Sequence, residues 1–474
     1  MRARFERELG PSKVVSDAAG LASYEDDFSE VERVAPVLAL KPTTVAEVQA
    51  IVRIAREQHV TLTARVAGTN VSGLTTPVAG GVVVDLRDMN RVVSMDEANM
   101  VTVLEPGVTQ QQLRDFLEHN RIPLTLGYSL GPKRSSILAN CLLDGLTNRS
   151  LKYGSMGEWV AGFEVVLADG SLVRTGAWAL SDIPFARAPF PDLSGLFVGW
   201  QGTSGIATKV AFHLVPKHAI NERLFVLTYS AHGAFEAMRR LCRLETCDDI
   251  GGLSWPSGKM MLGVKRPHPV PLAGEPQFFL YIDLTGDDEE ELRYKRKALG
   301  RVLDGLRREG EKYEAPLDVR ALVKMNPAFA PFAEFPTDLA FLTDHGGGGL
   351  TWIGTYGPLS RFDEAAERGI EIMVREGVPP TIVSRPMKGG HFGVLRFVTI
   401  FDRDDASDVA RVKRVNLELL RMVTERGFVM YKTPAWALRE MESRLDPGYR
   451  ELLRRCKAML DPTGMFNPGK LLLP

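Results

Sequence analysis

The sequence is poor in cysteine. Cys141, Cys242, Cys247 and Cys456 are the four in 474 residues, and no pair has Cys-X-X-Cys spacing. That argues against a disulfide-stapled fold and a cysteine zinc site, and points to reduced thiols. A surplus of either charge is also missing. The 58 Lys and Arg stand against 59 Asp and Glu, for a formal net charge of −1. The overall balance therefore recommends neither a nucleic acid nor an anionic membrane as partner. The eight histidines are scattered, and no metal site is expected. No run approaches the ~18 apolar residues that span a bilayer. The start, MRARFERELG, is charged and has no apolar stretch of the secretory kind. A soluble cytoplasmic protein is the expectation.

What is present is an ordinary globular composition, 45% hydrophobic and 25% charged, in a chain long enough for roughly two or three domains. Thr44 and Glu47 form a capping-box pattern before the helical spacing of VAEVQAIVRIA, and VTLTARV (60–66) then alternates as a strand does. GGVVVDL and MVTVLEP are two further β runs. FEVVLADGSLVRTG (163–176) reads as a hairpin turning at Asp169-Gly170. After Lys217 the texture changes to four strand-then-helix units. The strands lie near 223–230, 277–284, 350–356 and 394–402, and the helices near 233–246, 287–308, 361–376 and 405–426. Repeated pairs of this kind suggest a sheet covered on one face. The tail, YRELLRRCKAML and then DPTGMFNPGKLLLP, returns to a different style.

Several loops are rich in glycine and hydroxyl residues. TARVAGTNVSG (63–73) follows a strand directly and contains no acidic residue. Gly68 and Gly73 allow close backbone approach to an anion, and Thr69, Asn70 and Ser72 add neutral donors. A plain strand-to-strand loop would need the same residues, and the stretch is neither a Walker loop nor GxGxxG. RSSILAN (134–140), GWQGTSGIAT (199–208) and NPGK (467–470) are further loops of similar composition.

The blocks RVAGTNVSG with VVVDLRDMNRVV, VLEPGVTQQQL, SILAN, KYGSMGEWVAGFEVVLADGSLVRTG, LFVGWQGTSGIATKVAFHLVP and LDPTGMFNPGK run in order along nearly the whole chain. In that order the sequence resembles the flavoproteins of the vanillyl-alcohol oxidase and p-cresol methylhydroxylase superfamily. The resemblance implies an α+β fold. An FAD-binding PCMH-type domain of two subdomains would cover 1–217. A cap of antiparallel sheet covered by helices would cover 218–427, and 428–474 would return to the FAD domain. It implies FAD, with Ala67, Gly68, Thr69, Asn70, Val71 and Ser72 around the pyrophosphate. Ser135, Ser136, Asn140, Gly202, Gly205, Ile206 and Lys470 would hold the rest of the dinucleotide. Many relatives tether FAD through a loop histidine, where Thr69 stands here. Others use a cap His or Tyr, where Leu350 stands. Non-covalent FAD is therefore expected.

The resemblance also bears on the substrate. Tyr431 in GFVMYKTPAW matches a family tyrosine that, with an arginine, holds a phenolate; Lys432 replaces the arginine and loses its fork. Ser155 stands where the family has a catalytic Asp, with Glu158 three residues on. Strand alternation puts Val394, Arg396 and Val398 on one face, and Arg396 falls at an apolar pocket position of the family. A buried arginine there suits a carboxylate; a surface salt bridge would use one equally well. Trp352 is a candidate wall or a core residue, and His391 a candidate base. The expected activity is hydride transfer from an alcohol or a phenolic compound, with or without a carboxylate, to flavin N5. A second branch of the superfamily oxidises D-2-hydroxy acids, but its HxGDGN motif has only the poor substitute GGHFGV here. An FAD-fold subunit with little activity of its own is a third reading. The sequence leaves the electron acceptor open among O₂, a cytochrome and another carrier, and a homodimer is allowed.

Overall fold

The structure, a computed structural model, describes residues 1–25, 27–336, 342 and 345–471. Thr44 accepts from the Glu47 N–H at 3.2 Å and Glu47 reaches back to the Thr44 N–H at 3.3 Å. Helix Val45–Glu57 thus starts on a reciprocal cap, as its sequence predicts. It packs on a four-stranded sheet ordered Val14–Val15, Leu38–Leu40, Val82–Asp85, Leu62–Arg65, whose last three strands run parallel. The tail closes this sheet. Leu62 N–H donates to Met465 C=O, and Asn467 N–H to Leu62 C=O, both at 2.8 Å. Met465 and Phe466 are buried in the same core.

A second, antiparallel sheet is ordered Val92–Asp96, Val101–Leu104, Ile206–His213, Val160–Val166, Leu172–Arg174. Its last two strands are the hairpin read at Asp169-Gly170. The third sheet has eight strands, drawn from Ile220–Thr228 to Val429–Met430, so it runs past the boundary read at residue 427. The architecture is α+β. Helices Ala231–Cys242, Glu289–Arg308, Phe362–Arg375 and Ala406–Glu425 bury one face of the third sheet in the largest core. Alternation sends Leu280 and Ile282 to that core while Phe279 and Tyr281 point the other way. The second face carries Phe225, Leu253, Val383 and Val398, and Val71 of the glycine-rich loop packs into the same cluster.

Two strands of this sheet, Asp249–Ser254 and Thr381–Met387, are not legible as strands in the sequence. Gly251 and Gly252 look like a turn. In fact a Cβ on Gly251 would lie 2.1 Å from the Tyr281 ring, and one on Gly252 2.4 Å from Met238. These glycines admit neighbouring side chains. Pro386 sits where its strand pairs on one side only, opposite Gly393.

Candidate active site

The chain leaves strand Leu62–Arg65 and turns through Gly68, at φ 64°, and Gly73, at φ 66°. Both peptide groups of Gly73 are fixed by charged side chains. Its N–H donates to Asp27 Oδ2 at 2.7 Å and its C=O accepts from Lys470 Nζ at 2.7 Å. Burial pushes the Asp27 carboxyl up and the Lys470 ammonium down. Asn70 Oδ1 accepts from the Ser72 N–H at 2.8 Å, so this side chain shapes the loop itself. Among the described residues, no acceptor takes the N–H of Gly68 or Thr69. Unpaired neighbouring amides of this kind are the arrangement an anion nest requires.

Ala67, Gly68, Thr69, Asn70 and Val71 line one wall of a cleft. Ser135, Ser136, Ala139 and Asn140 line the facing wall. Thr69 Oγ1 and Ser135 Oγ meet across it at 3.3 Å. Ser136 is half spent on structure, since it donates to Pro106 C=O at 2.6 Å and caps helix Ile137–Leu142. Ser72 is buried outside the cleft. Gly202, Gly205 and Ile206 do not line it either. Their loop is joined to the tail, where Asn467 Nδ2 donates to Gln201 C=O at 2.7 Å and to Leu74 C=O at 3.1 Å. Lys470 sits behind the loop, on Gly73.

The deep end of the cleft is made by Leu350, Trp352, Arg396 and Lys432. Arg396 and Trp352 belong to neighbouring strands, Phe392–Asp402 and Gly348–Gly357, with Trp352 registered to Val398 and Arg396 to Gly354. The guanidinium carbon lies 4.7 Å from the Trp352 ring centre. An Arg396 Nη donates to the Tyr431 hydroxyl, while Nε has no partner. Tyr431 itself faces away from the cleft. It stacks on Tyr356 at 4.5 Å and lines a separate groove with Asp144. Lys432 lines both the cleft and that groove, with Nζ 5.8 Å from the Tyr431 ring centre, so Arg396 and Lys432 reach the cleft while Tyr431 does not. Thr75 Oγ1 and Trp352 Nε1 are further unpaired buried polar atoms at its walls.

Lys432 is half-buried, has φ 51°, and places Nζ 3.3 Å from Asn140 Oδ1. Burial, then the positive charge of Arg396, lowers its pKa to about 7, with Asp144 opposing. The unfolded chain holds this proton more tightly than the folded one. The Lys432 contribution to stability therefore rises with pH, from about 7 toward the ordinary 10.5. In the ligand-free protein, the melting temperature of wild type minus that of Lys432→Met is expected to climb across that window. A flat difference would mean that the ammonium is not held in a dry site.

Trp352 and Arg396 also line a second, apolar cavity of about 50 Å³ that continues from the cleft into the cap. Phe225, Phe279, Tyr281 and Val398 wall it. Tyr281 is held by Arg385, which donates to its hydroxyl and pairs with Asp249 at 3.2 Å. Burial pushes the Asp249 carboxyl up, against the pull of the Arg385 guanidinium.

Residues 36–176 match the FAD binding domain family, and residues 257–471 match the family of FAD linked oxidases, C-terminal domain. The chain belongs to the FAD-linked oxidases. Members of this family are oxidoreductases, and FAD is the cofactor. The 4-cresol dehydrogenase [hydroxylating] flavoprotein subunit of Pseudomonas putida is 25% identical, over 98% of this chain and 94% of its own. The glycolate oxidase subunit GlcD of Bacillus subtilis is 34% identical, over 46% of this chain and only 45% of its own length. The crystal structure of p-cresol methylhydroxylase with substrate bound superposes with TM-score 0.85 at 23% identity, covering 99% of this chain and 95% of that one.

The residues present fit such a cofactor. Unpaired amides at Gly68 and Thr69 suit a diphosphate, and unpaired polar atoms of Thr75 and Trp352 suit the polar edge of a ring system. The flavoprotein departs from its sequence-based picture at His391. That side chain is exposed at the turn before strand Phe392–Asp402 and lines neither cavity, because strand alternation begins inward only at Val394. Ser155 is buried beside Asp144, whose Oδ1 accepts the Gly157 N–H at 3.0 Å and whose carboxyl is pushed up by burial. Glu158 pairs with Lys388. Asp27, Thr75 and the aromatic cap wall were not foreseen. Asp27 lies in an acidic run that reads as a solvated surface.

Proposed function

We propose that this flavoprotein oxidises a small alcohol or phenol whose oxygen anion or carboxylate is held by Arg396. The supporting observation is Arg396 itself: a buried guanidinium with a free Nε edge, set where the cleft meets the aromatic pocket. FAD, when bound, supplies the two-electron acceptor. Tyr431 and Trp352 hold the guanidinium at the junction of the two cavities. Lys432, poised near neutrality, accepts the proton of the substrate hydroxyl. The cap face excludes water from the pocket with Phe225, Phe279 and Tyr281. Among the described residues lining the cleft there is no His, Cys or Tyr, and Thr69 and Leu350 offer no nucleophile that forms such a tether. FAD is therefore held non-covalently.

A second reading, oxidation of a D-2-hydroxy acid, is favoured by the same arginine, which pairs as well with a carboxylate, and by the kinship to the glycolate oxidase subunit. One anaerobic experiment separates them. The purified protein is expected to be yellow, to release all flavin into the supernatant on acid precipitation, and to bleach on addition of 4-hydroxybenzyl alcohol. Bleaching by D-lactate alone selects the second reading. Flavin remaining in the pellet overturns non-covalent binding, and a yellow protein that no alcohol, phenol or hydroxy acid bleaches overturns both activities.

A further inference from the structure

The aromatic pocket has a second neighbour, away from the flavin cleft. A cavity of about 330 Å³ adjoins it, and the Arg223 and Phe335 side chains line both. Phe335 lies parallel to Tyr128, with ring centres 6.4 Å apart, and the Arg223 guanidinium carbon lies 4.3 Å from its centre. The second cavity is opposite in character to the first. Arg114, Arg149, Lys217 and Arg320 line it, against Glu118 and Glu334. Arg114 is neutralised by those two carboxylates, at 3.1 and 3.4 Å, and Arg223 by Asp283. Lys217 comes no nearer than 3.8 Å to Glu118. Arg320 donates only to Asn221 C=O, at 3.1 Å. Among the described residues, neither Arg149 nor Arg320 has a carboxylate partner. The cavity therefore offers guanidinium groups without a direct carboxylate contact beside an apolar pocket, with Asp249 acting on Arg149 only at longer range.

Size adds a constraint. At about 50 Å³ the aromatic pocket is smaller than the roughly 150 Å³ cavity that accepts a benzene molecule. A ring placed there must reach into one neighbour or both. With its reacting end toward Arg396, the neighbour that remains for the rest of the molecule is the cavity bordered by Arg223 and Phe335.

We propose that the Arg149–Arg320 cavity binds the carboxylate end of an elongated aromatic substrate whose body lies in the cap pocket. This rests on the reading above for the reacting end alone. It gives the flavoprotein a substrate class: a phenol or alcohol carrying a carboxylate on the far side of its ring from the flavin. Arg396 then serves the reacting oxygen, and Arg149 and Arg320 the tail.

The test compares 3-(4-hydroxyphenyl)propanoate with 4-propylphenol, which share a carbon skeleton and differ in the carboxylate. Isothermal titration with the FAD-loaded protein is expected to show the acid binding about 10-fold more tightly, the worth of one charge-assisted pair. The advantage falls as salt is added, and it disappears in Arg149→Ala/Arg320→Ala. Neither side chain is buried, so the double variant is expected to melt like wild type and to bind 4-propylphenol unchanged. Equal affinities, no heat from either compound, or an advantage that survives the double substitution would overturn the subsite. Bleaching is a separate readout. A protein that bleaches without preferring the acid keeps its activity and loses the subsite, and one that prefers the acid without bleaching does the reverse.

Discussion

Replacing Arg396 by methionine is expected to lower kcat/KM by about 100- to 10,000-fold and to leave FAD bound. A hydrogen bond to a charged group is worth about 1.5–3 kcal/mol, and two such bonds in the transition state give roughly that loss at 1.4 kcal/mol per decade. Methionine keeps an unbranched stem against the Trp352 ring and removes the charge. The Tyr431 hydroxyl loses its donor in the same change, so a fall in melting temperature accompanies the kinetic loss. Arg396→Lys isolates the two effects. It restores a positive charge without the planar fork, and is expected to recover part of the rate but not all of it. Flavin absorbance of each purified variant shows whether the cofactor site has survived. A value of kcat/KM within about threefold of wild type in Arg396→Met would remove this residue from the reaction.

Arg396 also illustrates what a sequence does and does not disclose. Alternation along GVLRFVTIF places Val394, Arg396 and Val398 on one face, and the structure has them so, on the strand Phe392–Asp402. What alternation does not give is which strand lies beside it. Thr381–Met387 and Asp249–Ser254 bring Val383 and Leu253 to the pocket. Both are hidden from a reading by period because glycine and proline interrupt them, and the reason for Gly251 is a ring on another strand. The Tyr431–Lys432 dipeptide teaches a similar lesson. Neighbouring residues cannot both face one cavity unless the backbone departs from its regular form, and at φ 51° Lys432 shares a groove with Tyr431 while also lining the cleft that Tyr431 does not reach. The glycine-rich loop was legible because its conformation is demanded by glycine itself. Its supports, Asp27 and Lys470, were not equally so, since a carboxylate and an ammonium far apart in sequence give no local sign that they fix one peptide.

The loop carries the other large expectation. Gly68→Val should yield a protein that purifies without colour, with FAD affinity reduced about 100-fold or more by the loss of two or so amide bonds to a charged diphosphate. At φ 64° a β-branched residue is strained by roughly 1–2 kcal/mol, and its Cβ would stand 2.8 Å from the Arg65 guanidinium. The guanidinium can swing aside, but relief of the positive-φ strain rotates the backbone, which turns the Gly68 and Thr69 N–H groups out of the cleft. Gly80→Val supplies the control. Gly80 has φ 78°, lies exposed on the same subdomain, and has nothing within 4 Å of the added Cβ. Both variants carry the same kind of backbone strain and are expected to lose melting temperature alike. Only the first bears on the amides that face the cleft. If Gly68→Val stays yellow, or if Gly80→Val loses flavin as readily, the effect belongs to stability of the subdomain and not to the nest.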